Sequence, residues 1–214
     1  MGIAKIVMSQ KASVLIEHTS EDIVGYVLVK LLRDVFECCG DSQIDLVVTD
    51  FFDAFSVYLY HAELLGMDTD FISNISVIKV GGKINVGNVL QTVPISPYPV
   101  YKVRYEEALS RILRSDDNNR VKLNIQVGID MIMNLFDKKE LIEQIHDIGR
   151  QIIQNKDVIN VVFINSESVG QASFEALPLL RVMFPIVIKL GSSGEAFVVK
   201  KSVFPKLRGV QGEV

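Results

Sequence analysis

Val14-Leu15-Ile16-Glu17-His18-Thr19-Ser20-Glu21-Asp22-Ile23-Val24 leads into a run that ends at Cys38-Cys39-Gly40, and this stretch decides the fold. Val14 to Ile16 reads as a buried strand and His18 to Asp22 as a polar turn. From Ile23 onward the pattern is helical. Ile23, Val24, Val27, Leu28, Leu31, Leu32, Val35 and Phe36 recur at three- and four-residue spacing, which marks a core-facing stripe. Lys30, Arg33, Asp34 and Glu37 fill the other side. Thr19 or Ser20 is the expected N-cap, Glu21 and Asp22 are expected in the first turn, and Gly40 is the expected stop.

A strand, loop and helix in this order is where phosphate-binding α/β proteins place their chemistry. A Walker A loop needs glycines for a wrapping backbone, a Lys for the β- and γ-phosphates, and Ser or Thr for Mg²⁺. Between Glu17 and Val24 there is neither Gly nor Lys; Gly25 and Lys30 fall inside the helix. Glu21 and Asp22 also set two negative charges against the anion attraction of a helix N-terminus.

Outward from this stretch, strands and helices alternate. Strands are predicted over 44–50, 75–80, 121–129, 158–164, 186–190 and 196–203, with helices over 55–65, 101–114, 138–154 and around 174–184. In 121–129 Val121, Leu123, Ile125, Val127 and Ile129 alternate with Lys122, Asn124, Gln126 and Gly128, which predicts a strand with one wet face. Residues 158–164 are the most apolar strand and are expected mid-sheet. Gly191-Ser192-Ser193-Gly194 predicts a hairpin turn, Gly81-Gly82-Lys83 a turn, and Ser115 to Asn119 a polar loop. The expected fold is α/β: a mostly parallel three-layer sheet, helices on both faces, and a C-terminal antiparallel hairpin. Residues 1–214 read as one domain, with a β-rich insertion expected at about 81–130.

The 214 residues carry 49% hydrophobic and 22% charged side chains, a globular balance rich in core formers. No apolar run is long enough to span a membrane, and the first residues lack a signal peptide's apolar core, so a cytoplasmic protein is expected. A net charge of −4 argues against sequence-independent nucleic-acid binding. The adjacent pair Cys38-Cys39 suits reduced thiols rather than a disulfide. His61-Ala62-Glu63 matches half of a zinc deaminase signature, but no Pro-Cys-x-x-Cys partner exists, and no G-x-S-x-G elbow occurs. No metal and no cofactor is expected.

The order of elements resembles the RecA-like core of the KaiC group of ATPases. Three places carry the likeness. Thr49-Asp50-Phe51-Phe52-Asp53, followed by Leu65-Gly66-Met67-Asp68, is similar to the group's second strand and the helix after it. Asn160 to Ser166 is similar to its Walker B strand. Lys200-Lys201 through Lys206-Leu207-Arg208-Gly209 is similar to its closing strands and basic tail. The whole also resembles an uncharacterised protein family of Pyrococcus-type hyperthermophilic archaea.

The resemblance implies that Asp50 stands where the group keeps the carboxylate that activates water. It implies that Asn165 replaces the Asp that orients Mg²⁺, a weaker ligand for a hard cation. It also implies a tail, Lys200, Lys201, Lys206 and Arg208, that reaches a neighbouring subunit. With the loop and the Mg²⁺ ligand degraded together, the expectation is a non-catalytic domain working through protein contacts or self-association as a homo-oligomer. The alternative is a divergent ATPase or a small-molecule binder. Its crevice would lie at the carboxyl ends of the strands, lined by His18, Thr19, Ser20, Glu21, Asp50, Asn165 and Ser166.

Overall fold

A computed structural model describes residues 1–39, 43–113, 120–172, 176–191 and 196–214. The expected helix stop at Gly40, the loop at 115–119, the start of the helix at 174 and most of the 191–194 hairpin turn lie outside these residues.

The chain runs α1 (Ile3–Gln10), β1 (Val14–His18), α2 (Val24–Cys39), β2 (Ile44–Phe51), α3 (Ala54–Leu64), β3 (Ser76–Val80), β4 (Asn88–Val93) and α4 (Tyr98–Ile112). It continues through β5 (Val121–Val127), α5 (Ile129–Met133), α6 (Lys138–Gln154), β6 (Val158–Asn165), α7 (Ser166–Ala172) and α8 (Ala176–Met183). It closes with β7 (Ile186–Leu190), β8 (Ala196–Ser202) and β9 (Gln211–Glu213). Among the described residues these strands form one sheet in the order β4-β3-β2-β5-β6-β1-β7-β8-β9. Every pairing from β4 to β7 is parallel, and β8 and β9 add as antiparallel strands. The expected α/β architecture is present, and 158–164 does lie mid-sheet, between β1 and β5.

Alternation along the strands sorts the apolar residues onto two faces. Val14 and Ile16 of β1 join Val48, Ile125 and Phe163 in a core covered by α1, α2 and α3. Leu15 joins Val47, Val162 and Val187 in a second core covered by α4 through α8. The helix stripe read from the sequence is the buried one: Val24, Val27, Leu28, Leu31, Leu32 and Val35 are all within 4% of full burial. Ile23 is the exception; it lies before the helix and is exposed. Gly25 lets α2 approach α3, since a Cβ there would stand 2.1 Å from the Tyr58 carbonyl oxygen.

Four expectations need correction. The strand at 121–127 is wet only at its start, where Lys122 is part-exposed: Asn124 and Gln126 are buried under α4. Thr49 Oγ1 donates to Asn124 Oδ1 at 2.9 Å, Asn124 Nδ2 donates to Asn160 Oδ1 at 3.1 Å, and the Tyr105 hydroxyl accepts from Asn124 Nδ2 at 3.1 Å. A polar ladder across β2, β5 and β6 therefore replaces water, so alternation was read correctly but solvation was not. Helix α4 starts at Tyr98, three residues early, because Pro99 is tolerated in a first turn where amides lack partners anyway. Glu21 and Asp22 precede α2 rather than sitting in its first turn. The strand expected over 121–129 ends at Val127, with Gly128 turning the chain and Ile129 opening α5; the helices α1, α5 and α7 and the short β9 were not read from the sequence at all.

Candidate functional site

The sheet order creates two places where crossovers leave in opposite directions. Strand β1 leads to α2 on one face while its neighbour β6 leads to α7 and α8 on the other. The same divergence separates β2, leading to α3, from β5, leading to α5 and α6. In open α/β sheets a crevice forms outside the carboxyl ends of strands at such points.

At the first point His18 and Asn165 are register partners at the ends of β1 and β6. Their loops are stitched together. Asn165 Nδ2 donates to Ser20 Oγ at 3.1 Å, Ser166 Oγ donates to the His18 carbonyl at 3.0 Å, and the Ser20 amide donates to Glu167 Oε2 at 3.0 Å. The Thr19 amide donates to Asp22 Oδ2 at 2.6 Å, and Thr19 Oγ1 adds a second bond at 2.9 Å. The expected N-cap role of Thr19 or Ser20 is thus reversed: Asp22 turns back and caps the loop. Hydrogen bonds from Ser20 hold the Glu167 carboxyl below its ordinary range.

Asn165 has its own structural task. Its Oδ1 accepts from the amides of Glu167 at 3.0 Å and Ser168 at 3.2 Å, the geometry of an N-cap for α7. Glu21 is exposed beside these residues.

His18 is 3% exposed, and its Nδ1 lies 3.0 Å from the Thr19 carbonyl, which fixes the proton on Nδ1. Burial pushes the imidazole below its ordinary pKa, against the pull of Asp130, Asp22 and Glu167. Its Nε2 is buried without a partner among the described residues, and so is Oδ1 of Asp130, at the start of α5. Tyr58 of α3 stands edge-on to His18 at 6.3 Å between ring centres. Asp130 acts electrostatically on both His18 and Tyr58. Sequence reading missed Asp130, because a lone Asp after a Gly carries no spacing signal.

Asp50 is not brought to this place. Two strands, β5 and β6, lie between β2 and β1, a separation of about 14 Å at the usual strand spacing. Its Oδ1 accepts from the Phe55 amide at 2.9 Å and its Oδ2 from Lys79 Nζ at 3.0 Å. Lys79 also donates to Asp53, whose carboxylate accepts from the amides of Lys83 and Ile84. The turn Gly81-Gly82-Lys83, with both glycines at positive φ, therefore wraps an anion of the protein's own making. A Cβ on Gly82 would stand 2.3 Å from Asp53 Oδ1. Burial pushes the Asp50 carboxyl up. Burial works against the Lys79 ammonium too, but the bonds to Asp53 and Asp50 outweigh it and keep Lys79 protonated.

The basic tail lies at the other end of the sheet. Lys201 pairs with Val187 in register, near the start of β7, far from the strand ends that carry His18. Its Nζ donates to the carbonyls of Arg181, Val182 at 3.1 Å and Phe184 at 2.9 Å, closing the C-terminus of α8. Arg208 Nε donates to the Ser202 carbonyl at 3.0 Å. Lys200 and Lys206 are exposed.

Residues 8–212 match the family model described as Pyrococcus protein of unknown function, DUF257. The chain belongs to the DUF257 family. The DUF257 chain is also similar to a solved protein from a structural study in Pyrococcus horikoshii OT3, over 100% of this chain and 98% of that one. The TM-score is 0.79 at 19% identity, so this likeness speaks for the fold alone. No curated protein matches it. No helix among the described residues is long and apolar enough to cross a membrane.

Proposed function

We propose that this chain is a non-catalytic, RecA-like domain that works through protein contacts or self-association, its capacity for nucleotide hydrolysis lost. One observation carries the reading: the amides of Thr19 and Ser20, which a phosphate would need, are already bonded to Asp22 and Glu167. An incoming phosphate would have to displace two carboxylates and then sit among them, which reverses the usual attraction of such a turn. Asp50 supports the reading further, since it is 1% exposed and each of its oxygens already accepts a bond, so an attacking water would have to enter a closed corner. The test is phosphate release from Mg-ATP, with amide chemical shifts followed alongside. The expected result is release no faster than in buffer, with the Thr19 and Ser20 signals unmoved. Saturable hydrolysis abolished by Asp50→Asn would overturn the reading.

A second reading has its own observation. His18 Nε2 and Asp130 Oδ1 are both acceptors, both buried and both without a partner among the described residues. A small hydrogen-bond donor or cation between them would satisfy both, which suits a small-molecule site. Crystals should then show density bridging the two atoms; an apolar seal between them would remove this reading.

A further inference from the structure

Away from the crevice, at the amino-terminal edge of the sheet, a hollow of about 450 Å³ is lined by Lys11, Arg120, Val121, Lys122, Lys156, Asp157 and Ile159. That size falls in the range of small-ligand pockets, about 300–1,000 Å³. Three separate parts of the chain supply its cations. Lys11 follows α1, Arg120 and Lys122 open β5, and Lys156 lies in the turn before β6. The strands bring them together because β5 and β6 are neighbours, with Lys122 opposite Val158, and the link from α1 enters β1 beside β6.

The charge balance is what calls for an occupant. Arg120 is committed to Asp45, at 2.6 Å, and to the Ile44 carbonyl. Among the described residues Lys11, Lys122 and Lys156 have no carboxylate within ion-pairing distance, and Asp157 is the single acidic group in the lining. This stands out in a chain whose net charge is −4. Cations of one sign gathered around a concave surface focus a positive field into the hollow and raise the local concentration of anions. Lys11 adds a backbone cost: it closes α1 at φ 47°, in the left-handed region that glycine usually fills. A lysine is held there although a glycine would close the helix with less strain.

We propose that this hollow is an anion-binding site for a compact, multiply charged phosphate compound such as an inorganic oligophosphate. Lysine ammonium groups suit that ligand, since they act as point charges that need no fixed planar geometry. The site does not depend on the functional reading above, because it lies at the opposite edge of the sheet from Thr19 and Ser20.

The test is calorimetric titration of the full chain with tripolyphosphate at low ionic strength, repeated at higher salt and in two double variants. Binding should be saturable with one site per chain and should weaken as salt rises. Lys11→Gln with Lys156→Gln should weaken it on the order of tenfold per lysine removed. Both side chains are exposed, so the fold should survive. Lys139→Gln with Lys189→Gln, which removes the same charge from exposed positions elsewhere, should leave binding unchanged. Absence of saturable binding would overturn the proposal, and so would equal losses in the two double variants, which would mean net charge alone. Amide shifts that move near Thr19 and Ser20 instead of near Lys11 and Lys156 would place the ligand in the crevice and overturn it as well.

Discussion

Lys79 holds Asp50 at 3.0 Å while both side chains are almost fully buried, 3% and 1% exposed. Asp53, half-buried, shares the same ammonium from the turn that follows β2. This shared cation ties β3 to β2 at the place where β2 hands the chain to α3. It also engages one oxygen of Asp50, the residue that the resemblance set where a water-activating carboxylate would stand, while the Phe55 amide engages the other.

Lys79→Met should destabilise the protein by about 3–5 kcal/mol, since it leaves the Asp50 carboxylate buried with no counter-charge. Adding Asp50→Asn should recover part of that loss, because the amide brings no charge to compensate. Urea unfolding of the two single variants and the double variant measures the coupling. Additive losses would mean that the pair is not what holds this corner together.

His18 predicts a pH dependence. Burial lowers its folded pKa below the ordinary 6.5, so as pH falls through that value the unfolded chain takes up the proton first. Stability is therefore complete above about 6.5 and declines as pH drops toward the folded value. His18→Gln should flatten the stability profile over that window, read from thermal melts between neutral and mildly acidic pH.

Gly25→Ala should lower the melting temperature by several degrees. Alanine favours a helix over glycine by about 1 kcal/mol. Here the new methyl meets the Tyr58 carbonyl oxygen at 2.1 Å. Forcing α2 and α3 apart costs about 1–3 kcal/mol, and the clash wins.

Asn165→Asp separates capping from cation binding. The carboxylate keeps the acceptor for the Glu167 and Ser168 amides but gives up the donation to Ser20, and it adds a charge beside Glu167. The variant should bind Mg²⁺ no better than the parent in a calorimetric titration. Asn165→Ala should cost about 1 kcal/mol through loss of the cap.

The helical stripe from Val24 to Val35 and the apolar strands β2, β6 and β7 were legible because burial imposes a period on the sequence. Once a helix face or a strand must leave water, its side chains follow 3.6 or 2. That same logic failed at Asn124 and Gln126, where polar side chains alternate as a wet face would yet bond to Thr49, Tyr105 and Asn160 under α4. A sequence shows that a group is polar, not what will satisfy it.

The missing glycines and lysine between Glu17 and Val24 could be read directly, because a phosphate loop needs particular residues at adjacent positions. Sequence alone thus determined the layered α/β class and the absence of Gly and Lys between Glu17 and Val24, both of which are written in local pattern. Tertiary structure alone decided that Glu167 would cap Ser20, that Asp50 would turn to Lys79, and that Lys11 and Lys156 would face one hollow. Those meetings depend on which strands become neighbours, and strand order is set by the packing of whole crossovers rather than by any short run of residues.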